Sequence, residues 1–174
     1  IAYETVPVKM ADAQVVNLDL LTYAGNLANV ADVASSPRYR FVRGDIRDMK
    51  VAQELAADAD WIVNFAAESH VDRSTKARAG EFIDTNVYGA YVMLEATRQV
   101  NRGARFLQVG TDEVYGDVPF PEFPNEQAML APSSPYSAAK AGADHIALAF
   151  HRTHQMDVIV SRCEKHWAMV CNAS

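Results

Sequence analysis

The chain has 174 residues, 49% of them hydrophobic and 22% charged, the composition of a globular domain with material for one sizeable core. A formal net charge of -6 leaves no basic excess to neutralise phosphodiester backbones or anionic lipid, so nucleic acid is not an expected partner. No run approaches the roughly 20 apolar residues that cross a bilayer, and IAYETVPVKM at the amino terminus lacks a charged-then-apolar leader, so no membrane association and a cytoplasmic location are expected.

Apolar runs rich in Val, Ile and Phe occur at 13–21, 38–42, 60–67, 104–110 and 157–163 and read as strands. Helical patterns fall between them, a short one near 48–57, a long one at 79–101 and another at 134–154. Strand and helix alternate, and parallel neighbours need crossover helices, so the pattern predicts an α/β fold with a doubly wound parallel sheet. The runs 60–67 and 104–110 fit central strands buried on both faces. Five prolines in 117–135 exclude a helix there and make that segment a surface or lid-like connection. Cys163 and Cys171 have neither CxxC spacing nor histidine partners in zinc order, so no metal or redox site is expected.

Open parallel sheets bind ligands beyond the carboxyl ends of their strands, and the residues after each apolar run are therefore the candidates. Asp19 ends VVNLD, where a carboxylate accepts adenosine ribose hydroxyls in dinucleotide-binding folds and disfavours a 2'-phosphate; it equally suits a turn or cap. No glycine-rich phosphate loop precedes it, since none of the 18 preceding residues is Gly. Asp45 and Ile46 follow the next strand, with Asp45 placed to meet an adenine amino group or to cap the coming helix. After 60–67 comes AAESHVDRS, in which two small residues admit a flat cofactor and Glu68, Ser69, His70, Asp72 and Arg73 crowd polar groups into one turn. Asp112 and Glu113 in TDEVYG make a carboxylate pair at a strand end, able to divide acid and base roles. Tyr136 and Lys140 are four residues apart, about 400° and roughly 6 Å along a helix, so the ammonium lies near the phenol's face. A phenol with an ordinary pKa of about 10 needs such positive charge to act as a base near neutrality. Phe82, Ile83, Val87, Tyr91 and Leu94 on the long helix are assigned to packing or a subunit interface.

Together, DLLTYAGNL, GDIRD, NFAAESHVDRS, FIDTNVYG, TDEVYGD and SSPYSAAKAGADH resemble the dTDP-glucose 4,6-dehydratases of the extended short-chain dehydrogenase family over about residues 13–163. Epimerases of that fold resemble a serine-rich segment at 111–113 and GDP-mannose dehydratases resemble Thr-Ser-Glu, so Asp112 beside Glu113 favours the dTDP-glucose branch. The resemblance implies a Rossmann-like sheet lacking its first strand and glycine-rich loop. Residues 1–163 would be a partial NAD-binding domain, 164–174 would depart from the family pattern, and the substrate domain would be absent. It implies NAD contacts from Asp19, Leu20, Leu21, Thr22, Asp45, Ile46, Phe65, Ala66, Ala67, Glu68, Ser69, Thr85, Tyr136 and Lys140. Ser69, Thr111, Asp112 and Glu113 would touch the nucleotide sugar.

The implied catalytic set is Thr111, Asp112, Glu113, Tyr136 and Lys140. Tyr136, activated by Lys140, would take the C4 hydroxyl proton as hydride passes to NAD. Glu113 would take the C5 proton, Asp112 would protonate the departing C6 hydroxyl, and hydride would return to C6. A homodimer is implied for the full-length parent, whereas this chain alone is expected to be inactive. Another nucleotide-sugar epimerase or decarboxylase, or a non-catalytic NAD-binding module, is the alternative.

Overall fold

The computed structural model describes residues 12–68, 79–119 and 124–163. Strands β1 (Val15–Asp19) and β2 (Tyr39–Arg43) pair in parallel, with Val15 opposite Tyr39. Strands β3 (Trp61–Asn64), β4 (Arg105–Thr111) and β5 (Val158–Cys163) form a second parallel block with β4 in the middle. Every pair in both blocks is parallel, as the alternating pattern requires. No ladder joins β1 to β3 among the described residues, which form two separate parallel blocks.

Of the two strands expected to be central, β4 is paired on both sides; among the described residues β3 is paired on one side, and its Trp61 and Val63 are 48% and 42% exposed. A continuous apolar run does not encode which neighbours a strand has. The strand also ends early, because the Asn64 Oδ1 accepts the Ala66 amide at 3.2 Å and its Nδ2 donates to Gln108 Oε1 at 2.9 Å, turning the chain.

Helix α1 (Met49–Ala56) is capped by Asp48, whose carboxylate accepts the amides of Lys50 and Val51. The cap reading of Asp45 is therefore corrected; Asp45 instead accepts the Arg47 amide in a local turn at 2.9 Å. The single helix expected at 79–101 is three pieces: α2 (Ala79–Phe82), a π-helical stretch (Ile83–Gly89) and α3 (Ala90–Val100). Helix α4 (Pro135–His154) begins with Ser134 and Ser137 in a reciprocal capping box and with Pro135 in its first turn. It ends on left-handed Gln155, with His151, Arg152 and His154 in the last turn, where positive charge complements the helix dipole.

The main core lies between the β3–β4–β5 block and helices α3 and α4, built from Val92, Leu94, Ala96, Phe106, Ala147 and Met156. Burying each large aliphatic or aromatic side chain here contributes about 1.5–3 kcal/mol. Of the residues assigned to packing, Phe82 and Leu94 are buried, whereas Ile83 and Tyr91 are exposed in the isolated chain. Among the described residues no helix is long and apolar enough to cross a membrane.

Candidate active site

At the end of β4, Thr111 changes the chain's direction. Its hydroxyl accepts the Glu113 amide at 3.3 Å and donates to Asp112 Oδ1 at 3.2 Å, starting a 3-10 turn over Asp112–Tyr115. Gly116 closes the turn at φ 73°, where a Cβ would stand 2.2 Å from the Ala131 carbonyl oxygen, so only glycine fits. Asp112 and Glu113 are thereby held half-buried on one short turn.

Tyr136 and Lys140 project from the first turns of α4, 7% and 3% exposed. The Tyr136 ring packs edge to face on Phe82, with centroids 6.3 Å apart. Its phenol pKa is raised, first by burial and then by the carboxylates of Glu113 and Asp112. Burial lowers the Lys140 ammonium from its usual range, against the attraction of Asp144. Lys140 Nζ donates to the Val109 carbonyl of β4 at 2.5 Å. A phenol becomes a base near neutrality only where positive charge lowers its pKa.

The remaining candidates occupy the ends of β1, β2 and β3. Asp19 Oδ1 accepts the Leu21 amide at 2.6 Å, and Leu21 adopts φ 54°, a strained conformation for a branched residue. Leu20 and Thr22 are exposed on the same turn. Asn17, Asp19, Leu21 and Phe41, among others, line a small cavity there of about 100 Å³. Both oxygens of Asp45 are engaged by the Arg47 guanidinium, the shortest contact being 2.6 Å, and this bond first of all lowers the Asp45 pKa. Ile46 is buried against Gly89, where a Cβ would meet its Cδ1 at 2.4 Å. After β3, Phe65 is 57% exposed, and Ala66, Ala67 and Glu68 are half-buried. Tyr23 donates to Glu68 Oε2 at 3.3 Å, joining the turns after β1 and β3. Thr85 is half-buried in the π-helical stretch. Ser69, His70, Asp72 and Arg73 lie outside the described residues.

Sequence reading missed Asn86. It is 2% exposed, and its side-chain amide clamps the Glu68 backbone at both ends, accepting the N–H at 2.8 Å and donating to the C=O at 3.1 Å. The one available signal was a polar residue at an inward position of FIDTNVYG. Asp144 and Arg162 were missed as well; they form a buried ion pair at 2.8 Å beside Lys140.

The donor set suits a dinucleotide in part. A carboxylate stands at the end of β1, two alanines follow β3, and a buried lysine stands one turn from a tyrosine. No glycine precedes Gly25, so a glycine-rich pyrophosphate turn is not in this sequence ahead of β1. Among the described residues no group of three His, Cys, Asp or Glu side chains could hold a metal ion.

The family model for GDP-mannose 4,6 dehydratase matches residues 8–170. A dTDP-glucose 4,6-dehydratase of Streptomyces niveus is 49% identical over 154 residues, covering 88% of this chain and 45% of that protein. The crystal structure of the dTDP-glucose 4,6-dehydratase DesIV from Streptomyces venezuelae, solved with NAD bound, superposes with a TM-score of 0.82 at 48% identity, covering 86% of this chain and 46% of that one. UDP-glucuronic acid 4-epimerase from Bacillus cereus superposes at 0.80 with 22% identity, covering 89% of this chain and 49% of that one, a likeness of fold alone. The chain spans about half the length of the relatives it matches, 45% to 47% for the first two curated ones. With a family model covering nearly all of its length, Asp112 and Glu113 on the turn that ends β4 and Tyr136 and Lys140 in the first turns of α4, the chain belongs to the GDP-mannose 4,6 dehydratase family.

Proposed function

We propose that the whole protein is an NAD-dependent dTDP-glucose 4,6-dehydratase, making the 4-keto-6-deoxy sugar for deoxysugar biosynthesis, and that residues 1–163 are part of its NAD-binding domain. The observation that carries the reading is that the turn bearing Asp112 and Glu113 packs through Val114 and Tyr115 on Ala141 of α4, the helix whose first turns bear the buried Tyr136 and Lys140.

NAD, when bound, would supply the hydride acceptor that opens the reaction and the hydride donor that closes it. Asp19 would accept its ribose hydroxyls, with Leu20, Leu21, Thr22, Asp45, Ile46, Thr85 and the segment Phe65–Ser69 around it. Because Asp45 is held by Arg47, any adenine contact there uses a lone pair left over from that bond. Tyr136 would remove the C4 hydroxyl proton as its phenolate, favoured by the Lys140 ammonium one turn away and by the positive charge that NAD would bring. Glu113, half-buried, would take the C5 proton made acidic by the C4 ketone. Asp112, bonded to Thr111 Oγ1, would deliver a proton to the departing C6 hydroxyl. Ser69 and Thr111 would complete the sugar contacts. A homodimer and a cytoplasmic location belong to the same proposal.

The test is to assay the whole protein on dTDP-glucose, UDP-glucose and GDP-mannose by the alkaline absorbance of the keto sugar. Turnover of dTDP-glucose alone, lost in Tyr136→Phe and Glu113→Gln, supports the reading. NAD binding without a keto product from any substrate overturns it and leaves an epimerase or a binding module.

A further inference from the structure

Tyr136, Lys140 and Asp144 recur at four-residue intervals on α4 and so share one face, 7%, 3% and 0% exposed. Asp144 is fully buried, yet among the described residues its Oδ1 has no hydrogen-bond partner and its Oδ2 accepts only the Arg162 Nε. Arg162 comes from β5, where it stands in register with Gly110 of β4. Gly110 makes the arrangement possible: a Cβ there would lie 2.9 Å from Asp144 Oδ1 and 2.5 Å from the Ser161 carbonyl oxygen. The same guanidinium donates from Nη1 to the Tyr115 hydroxyl at 3.0 Å, and its Cζ is 5.3 Å from the ring centroid. Tyr115 is the last residue of the 3-10 turn that carries Asp112 and Glu113.

One side chain therefore touches both chemistry-bearing elements. Stability alone is a poor reason for the arrangement. A buried ion pair recovers little beyond its desolvation cost, and an orphaned carboxylate oxygen adds to that cost. Apolar residues of similar volume would hold β5 to α4 about as well. What they would not supply is a forked donor that fixes the distance between the turn and the helix.

We propose that Arg162, bonded to Asp144 and Tyr115, is a positioning residue that holds the Asp112–Glu113 turn in register with Tyr136 and Lys140. The inference rests on the dehydratase reading above for its catalytic consequence. Misplacing reacting groups by about 1 Å can cost on the order of 100-fold in rate without loss of binding.

In the whole protein, Arg162→Met and Tyr115→Phe are compared with wild type; Tyr115→Phe removes a single hydroxyl and keeps the fold accessible if Arg162→Met does not fold. The expected result is kcat reduced about 10- to 100-fold in Arg162→Met and about 3- to 10-fold in Tyr115→Phe, with KM for the nucleotide sugar within about twofold. Arg162→Lys, which keeps the charge and loses the fork, recovers part of the Arg162→Met loss. Tyr115→Phe has no further effect in the Arg162→Met background. Independently of turnover, hydrogen exchange accelerates in the peptide containing 111–116 in both variants, while β1 and β2 keep wild-type exchange. Unchanged kcat in a folded variant, or exchange that rises uniformly along the chain, overturns the proposal. A wild-type protein inactive on every sugar overturns the dehydratase reading instead, and the exchange pattern still decides the positioning claim.

Discussion

Replacing Asn86 isolates a contact that has no catalytic atom in it. The side chain is 2% exposed and answers both backbone groups of Glu68, at 2.8 and 3.1 Å, so Asn86→Ala strands one N–H and one C=O. An unsatisfied buried polar group costs about 1–3 kcal/mol; Glu68 is half-buried, which favours the lower end, and the sum is about 2–4 kcal/mol. Asn86→Asp makes the claim sharper. Protonated, the new carboxyl donates to the Glu68 carbonyl and accepts its amide as the native residue does. Ionised, it faces that carbonyl with no proton to give and sits in a poorly hydrated place, so its folded pKa lies above the ordinary value of about 3.9. The folded state then binds more protons than the unfolded one above that pH, and stability falls as pH rises through the raised value. Urea denaturation of the whole protein should give near wild-type stability for Asn86→Asp below about pH 4 and a loss of about 2 kcal/mol or more at neutrality. NAD affinity should fall alongside, because Ala66, Ala67 and Glu68 lose their anchor. Equal stability of the variant and wild type across this range would refute the clamp.

Three other perturbations follow from the same structure. Gly110→Ala drives a methyl group to 2.5 Å from the Ser161 carbonyl oxygen and 2.9 Å from Asp144 Oδ1, and should lower stability by about 1–3 kcal/mol in denaturant melts. Gly116→Ala, at φ 73° and 2.2 Å from the Ala131 oxygen, should displace the Asp112–Glu113 turn and reduce kcat more than it raises KM. Arg98, with help from Gln99, holds the Glu95 carboxyl at about 2, so this contribution to stability is present above the ordinary glutamate range and is lost as pH falls from there toward 2. Arg98→Met should therefore lower the melting temperature at neutral pH, by an amount that shrinks as pH falls toward 2, as read by circular dichroism.

The strands and helices were readable because their apolar periodicities are local, and α4 announced itself through Ser134, Pro135 and the spacing of Tyr136 and Lys140. The Asp112–Glu113 turn was equally readable, since Thr111 caps it through bonds to the next two residues. Asn86 was hidden because a π-helical stretch differs from an α-helix in register and not in composition, and its partner is backbone 18 positions earlier. Arg162 and Asp144 were hidden because they meet across an ordinary-looking glycine on a third element. The one-sided pairing of β3 among the described residues and the engagement of Asp45 by Arg47 depend on which neighbours are present, and apolar runs do not record that.

The most direct measurement of the central claim is the mass and isotope content of the product formed from dTDP-glucose by the whole protein in heavy water. The account predicts a keto sugar lighter by one water, with solvent deuterium at C5, and no product from Glu113→Gln. A product of unchanged composition, differing only in the configuration of one carbon, would contradict it.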